Sequence, residues 1–122
     1  MNIVALDEKA MGLMRECRWK EAIPVLKSLL DQNPDYEHGS PWYDLACCHD
    51  ELGEVEEAMR CYRRALAYDQ MNAVFLGGLA SLLYRHGAPQ EALEAFSRYL
   101  KVVGETSELG EKVRPAMVIV AA

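Results

Sequence analysis

The feature that most constrains this chain is a self-similarity at a spacing of about 34 residues. Three segments align: Glu21-Ala22-Ile23-Pro24-Val25-Leu26, Glu57-Ala58-Met59-Arg60-Cys61-Tyr62 and Glu91-Ala92-Leu93-Glu94-Ala95-Phe96. In each, Glu-Ala is followed, four residues after the Ala, by a large apolar side chain. Ala22, Ala58 and Ala92 stand 36 and 34 residues apart. A period of this length is one small supersecondary unit, which cannot bury its apolar face alone and must stack on its neighbours.

Each Ala has a matching half upstream. In the middle unit it is Trp42-x-x-Leu45-Ala46, then Leu52-Gly53, and in the third Leu76-x-x-Leu79-Ala80, then His86-Gly87. The first is degraded, with Leu6, Ala10 and Leu13 on the same positions and Cys17 where the glycine would sit. Apolar residues recur three and four apart through every half, which predicts helices. Gly53 and Gly87 fall where one helix ends and the chain reverses, a place that favours positive φ. Ser40-Pro41 predicts a helix start, with the Ser40 hydroxyl as cap and Pro41 at the first helical position. Pro89 opens a helix in the same way, and Pro24, about a turn into its helix, predicts a slight bend. The two extra residues of the first spacing fall near Glu37-His38-Gly39, in a loop where insertion costs little.

These residues resemble the tetratricopeptide repeat family, whose signature runs W-x2-L-G-x2-Y, then A-x3-F, then P. The middle unit matches best, through Trp42, Leu45, Ala46, Ala58, Tyr62 and Ala65; it departs at His49, where the family prefers Tyr, and at Gln70, where it prefers Pro. The first unit keeps that proline as Pro34, and the third has Tyr99 where a small residue is usual. The resemblance implies an all-α fold, a right-handed superhelical solenoid of antiparallel helix pairs. We expect one domain with repeats at 3–36, 39–72 and 73–106. A capping helix over 107–114 and an apolar tail over 115–122, with Met117-Val118-Ile119-Val120 at its heart, complete the expected layout.

Composition narrows the function. The net charge of −6 argues against nucleic acid, which needs a surplus of Lys and Arg on one face. No run of about 18 apolar residues occurs, so no membrane span is expected. The first residues lack the basic flank of a secretory signal, which points to a cytoplasmic protein. Cys17, Cys47, Cys48 and Cys61 match no zinc spacing and read as small buried hydrophobes in a reducing compartment. His38, His49 and His86 lie in different units, and His49 takes a packing position. No catalytic, metal or phosphate-binding constellation emerges, so neither enzyme activity nor a cofactor is expected. Arg60, Arg63 and Arg64 form a basic stripe, read first as a solvated face and second as a contact surface.

The resemblance also implies where a partner sits, since the inner groove of such solenoids is lined mainly by the first helix of each pair. Carried over by position, the first unit contributes Val4, Asp7, Glu8, Met11, Met14 and Arg15. The second contributes Ser40, Tyr43, Asp44, Cys47, Asp50 and Glu51, and the third Val74, Gly77, Gly78, Ser81, Tyr84 and Arg85. Five acids against two arginines predict a groove for a basic or amphipathic peptide. The expected contact residues are Asp7, Met11, Met14, Tyr43, Asp44, Cys47, Asp50, Gly78, Ser81, Tyr84 and Arg85. Family members that hold the acidic tails of Hsp70 and Hsp90 use a clamp of Lys, Asn and Arg. The matching positions here are Asp7, Met11, Asp44, Val74 and Gly78, none of which donates to a carboxylate. The leading expectation is therefore a protein-binding scaffold or chaperone-like adaptor. The alternative is a self-assembling structural protein that forms homo-oligomers through repeat ends or the apolar tail.

Overall fold

In the computed structural model, which describes residues 2–104, the repeat becomes three helix pairs. They are α1 (Ile3–Arg15) with α2 (Trp19–Gln32), α3 (Ser40–Glu51) with α4 (Val55–Tyr68), and α5 (Ala73–Arg85) with α6 (Pro89–Val103). A short 3-10 turn, Tyr36–Gly39, precedes α3, and there is no strand among the described residues. The chain divides into two compact units, Met1–Tyr68 and Asp69–Ala122. In the first, α1 packs on α2, α2 on α3 and α3 on α4; in the second, α5 packs on α6. The expected end of the third repeat at Thr106, the capping helix and the apolar tail all lie outside the described residues.

The repeated alanines explain the pairing. Ala10, Ala46 and Ala80 on the first helices, and Ala22, Ala58 and Ala92 on the second, are all fully buried. A methyl group at these positions lets backbones approach closely, and the large side chain four residues on (Leu26, Tyr62 or Phe96) fills the space beyond. Each such large apolar side chain stabilises the fold by roughly 1.5–3 kcal/mol through burial.

The three turns between paired helices are built alike. Backbone N–H groups of Arg18, Glu54 and Ala88 donate back to the carbonyls of Leu13, His49 and Leu83 at 2.9, 2.9 and 3.0 Å. This is the Schellman closure, and it needs a left-handed residue one step earlier. Gly53 (φ +76°) and Gly87 (φ +78°) supply it, as expected. In the first turn it is Cys17, at φ +59°. Cys17 is exposed, so the reading of all four cysteines as buried hydrophobes is corrected there: its position is set by the turn, not by the core. Cys48 and Cys61 are buried and Cys47 half-buried.

The start of α3 also corrects the sequence reading. Ser40 is already helical (φ −54°, ψ −41°), the capping position is Gly39, and no side chain caps this end. The chain reaches it through three consecutive left-handed residues, Glu37 (φ +50°), His38 (φ +53°) and Gly39 (φ +88°). These occupy the predicted insertion, and together they rotate Ser40 past the cap into the first turn. The side-chain caps that do form are on asparagines. Asn2 accepts from the N–H of Ala5 at 2.8 Å. Asn72 accepts from Val74 and Phe75 at 3.0 and 3.1 Å. Pro89 opens α6 as expected, and Pro24 lies within α2.

Candidate functional site

In the first unit, α1 and α3 present the residues that the repeat register selected. Asp7, Met11 and Met14 follow one another at four and three residues, hence on one face of α1; Tyr43, Cys47 and Asp50 do the same on α3. All six, and Asp44 beside them, are half-buried. This is the exposure of a lining: enough packing to fix the side chains, enough access to meet a ligand.

The two helices meet electrostatically at Asp7 and Asp44. Burial, and after it the charge of Asp7, pushes the Asp44 carboxyl up to about 6. Tyr36, in the turn before α3, lies close enough to Asp7 to feel its carboxylate: partial burial, and after it that charge, raises the ionisation of its phenol. Lower on the face, the rings of Tyr43 and Tyr62 lie 5.8 Å apart at 54°. The Cys47 thiol sits between their hydroxyls, 3.8 Å from that of Tyr62. Burial raises the Cys47, Tyr43 and Tyr62 ionisations alike, and the neighbouring carboxylates, Asp44 and Asp50, add to the effect on the thiol. The hydroxyls of Tyr43 and Tyr62 pull the thiol the other way, but burial prevails and disfavours the reactive thiolate.

Neither Tyr36 nor Tyr62 is among the residues expected on this face. Tyr62 reads as core, and the residue is only 3% exposed. Its hydroxyl meets the Cys47 thiol and its ring meets Tyr43 of the lining, which the periodicity of apolar positions does not reveal. Tyr36 lies in the insertion, outside the repeat register.

The second unit holds the remaining expected residues on α5. Gly78, Ser81 and Arg85 share one face of that helix, and Arg85 Nε donates to Ser81 Oγ at 3.4 Å. Tyr84 is 37% exposed and sets its ring edge-on to Phe96 at 6.2 Å. Gly77 is explained from within the unit: a Cβ there would stand 3.2 Å from Cε2 of Tyr99 on α6.

Of the histidines singled out, His49 has a structural role. His49 is buried and its Nδ1 bonds Glu54 at 3.0 Å across the α3–α4 turn. Among the described residues no cluster of His, Cys, Asp and Glu could hold a metal ion, and no helix is long and apolar enough to cross a membrane.

With this geometry in view, comparison with known proteins is direct. Residues 13–75, just over half the chain, match the tetratricopeptide repeat signature. The TPR repeat-containing protein YpiA of Bacillus subtilis (strain 168) is 30% identical over 93 residues, which are 76% of this chain and 21% of that protein. The chain thus spans about a fifth of the length of that relative. Among solved structures, the first TPR of Spaghetti (RPAP3) bound to an HSP90 peptide, SRMEEVD, superposes with a TM-score of 0.85 at 17% identity. That match covers 98% of this chain and 94% of the other. The Yersinia enterocolitica type III secretion chaperone SycD, in complex with a peptide of the translocator YopD, gives 0.86 at 17% identity, covering 96% and 90%. At these identities the likeness establishes the fold, an all-α array of helix pairs.

Proposed function

This chain belongs to the tetratricopeptide repeat family, and we propose that it is a protein-interaction module whose α1–α3 face takes a basic or amphipathic peptide segment. The observation that carries the reading is the half-buried carboxylate pair Asp7 and Asp44, flanked by Tyr36, Tyr43 and Tyr62. A carboxylate that desolvation already disfavours gains most from a cation placed beside it. The tyrosines offer rigid ring surface at low entropic cost, and Met11 and Met14 an adaptable apolar wall. Two fold neighbours carry peptides, one from HSP90 and one from YopD, which supports peptide holding as the use of this fold. The charge here favours the opposite kind of peptide from the acidic HSP90 tail. Four free thiols fit the cytoplasmic location that we assign to it.

The test is a peptide library of graded charge screened against the full chain and an Asp44→Lys variant. Lysine- and arginine-rich amphipathic peptides are expected to bind the parent and to weaken at least about tenfold on the variant, the scale of losing a close charge pair. Binding that is indifferent to Asp44→Lys would contradict the assignment.

One observation favours stacking of copies as a second reading. The α1–α2 pair carries an open hollow of about 680 Å³ whose apolar lining includes Leu6, Leu13, Pro24 and Val25. Light scattering of a Val25→Lys variant tests it: an oligomer that dissolves on this change supports assembly through that end, and an unchanged mass removes it.

A further inference from the structure

The first unit carries a second cavity, of about 290 Å³, where α2, α3 and α4 meet. Its apolar lining is Leu30, Trp42, Leu45 and Cys61, of which all but the tryptophan are buried. Burial pushes the Cys61 thiol up to about 11, so this wall stays neutral. Three cations stand around it, Lys27, Arg60 and Arg64, against the two carboxylates of Asp31 and Glu57. Arg60 bonds Glu57 at 3.0 Å. Arg64 lies over the Trp42 ring, 5.1 Å from its centroid. Neither Lys27 nor Arg64 has an ion-pair partner among the described residues.

In a chain of net charge −6, a surplus of positive charge over an aromatic-lined hollow is a local inversion. A guanidinium stacked on a ring keeps its in-plane N–H groups for a carboxylate, with its orientation already fixed. The size is also informative: an enclosed cavity of about 150 Å³ holds a benzene molecule, so about twice that volume takes one aromatic ring with its attached chain.

We propose that this cavity is a second binding site, which takes an aromatic side chain flanked by carboxylates on a partner peptide. The ring of the ligand enters against Trp42, Leu45 and Leu30, and the flanking carboxylates bond Arg64 and Lys27. Its preference is opposite in sign to that of the α1–α3 face, and it does not rest on that assignment.

The experiment uses the full chain with Trp19→Phe, so that Trp42 is the sole indole reporter. The probes are Ac-Glu-Asp-Phe-Asp-Glu-NH2 and the same peptide with Ala for Phe, followed by fluorescence and calorimetry. The Phe peptide is expected to give a saturable change in Trp42 emission and to bind at least about tenfold more tightly than the Ala peptide. Arg64→Ala and, separately, the exposed Lys27→Ala should each weaken it several-fold, while Asp44→Lys leaves it intact. An absent Trp42 response overturns the proposal. So does equal binding of the two peptides, or unchanged affinity in both cation variants with helicity preserved, or loss of binding in Asp44→Lys.

Discussion

Tyr99 on α6 lies against Gly77 on α5, so near that a Cβ on the glycine would stand 3.2 Å from the ring. The two departures from the repeat pattern, a large residue where a small one is usual and a glycine inside a helix, compensate each other. Gly to Ala in a helix interior ordinarily stabilises by about 1 kcal/mol. Here Gly77→Ala is expected to be neutral or destabilising in the parent, and to stabilise by about 1 kcal/mol in a Tyr99→Leu background. Urea unfolding of the four proteins of the cycle measures the coupling; additive effects would show that the ring does not press on the glycine.

The first interhelical turn contains a residue that its conformation does not suit. Cys17 occupies at φ +59° the place that Gly53 and Gly87 hold in the other two turns. A left-handed conformation costs a non-glycine residue roughly 1–2 kcal/mol, and glycine returns part of that through its freer unfolded state. Cys17→Gly should therefore raise stability by about 0.5–1 kcal/mol, whereas Gly53→Ala should lower it by a similar amount. Midpoints of denaturant unfolding at constant slope check both signs.

Gly39 is held by two independent constraints. Its φ is +88°, and a Cβ would stand 2.8 Å from Tyr68 Cδ2. Gly39→Ala is expected to destabilise by about 2–3 kcal/mol, combining strain with a clash. A smaller Tyr68 should recover only the steric part, since the backbone term remains.

These positions show how much of the molecule was legible in the sequence. The helix pairs were, because Ala22, Ala58 and Ala92 and the glycines at the turns repeat one local solution to close packing. The Asp7–Asp44 face was legible too, because helical register carries a side chain's direction with it. What escaped depended on geometry without period. The Glu37–Gly39 turn moved Ser40 out of the capping position, and it set Tyr36 beside Asp7. The register did place Cys17 at the turn of its glycine counterparts; what was misread is its burial, because cysteine as a residue type suggests core.

Asp44 gives the fold a pH signature. Burial, and after it the charge of Asp7, pushes its carboxyl up to about 6 in the folded chain, against 3.8 for a freely solvated aspartate. Between these values the folded state binds more protons than the unfolded one, so its contribution is most favourable below about pH 4 and declines as pH rises through 6. Asp44→Asn should stabilise the chain by about 1–2 kcal/mol at pH 8, allowing for partial solvent screening, and by close to nothing at pH 4. A gain independent of pH would mean that the carboxylate is not disfavoured by its surroundings.

The most direct measurement is calorimetry of a lysine-rich amphipathic peptide with the full chain at pH 6, in two buffers of different ionisation enthalpy. A peptide carrying the HSP90 tail sequence SRMEEVD serves as the counter-probe. A cation seated beside Asp44 lowers its pKa, so binding should release a fraction of a proton and strengthen between pH 5 and pH 7, both effects vanishing in Asp44→Asn. On this face the acidic peptide should find no site, because Asp7, Met11 and Asp44 offer its carboxylates no donor, and any weak binding at the Lys27 and Arg64 cavity should be unchanged in Asp44→Asn. Binding of the acidic peptide in place of the basic one, or basic binding with no proton release, would contradict the assignment of the α1–α3 face.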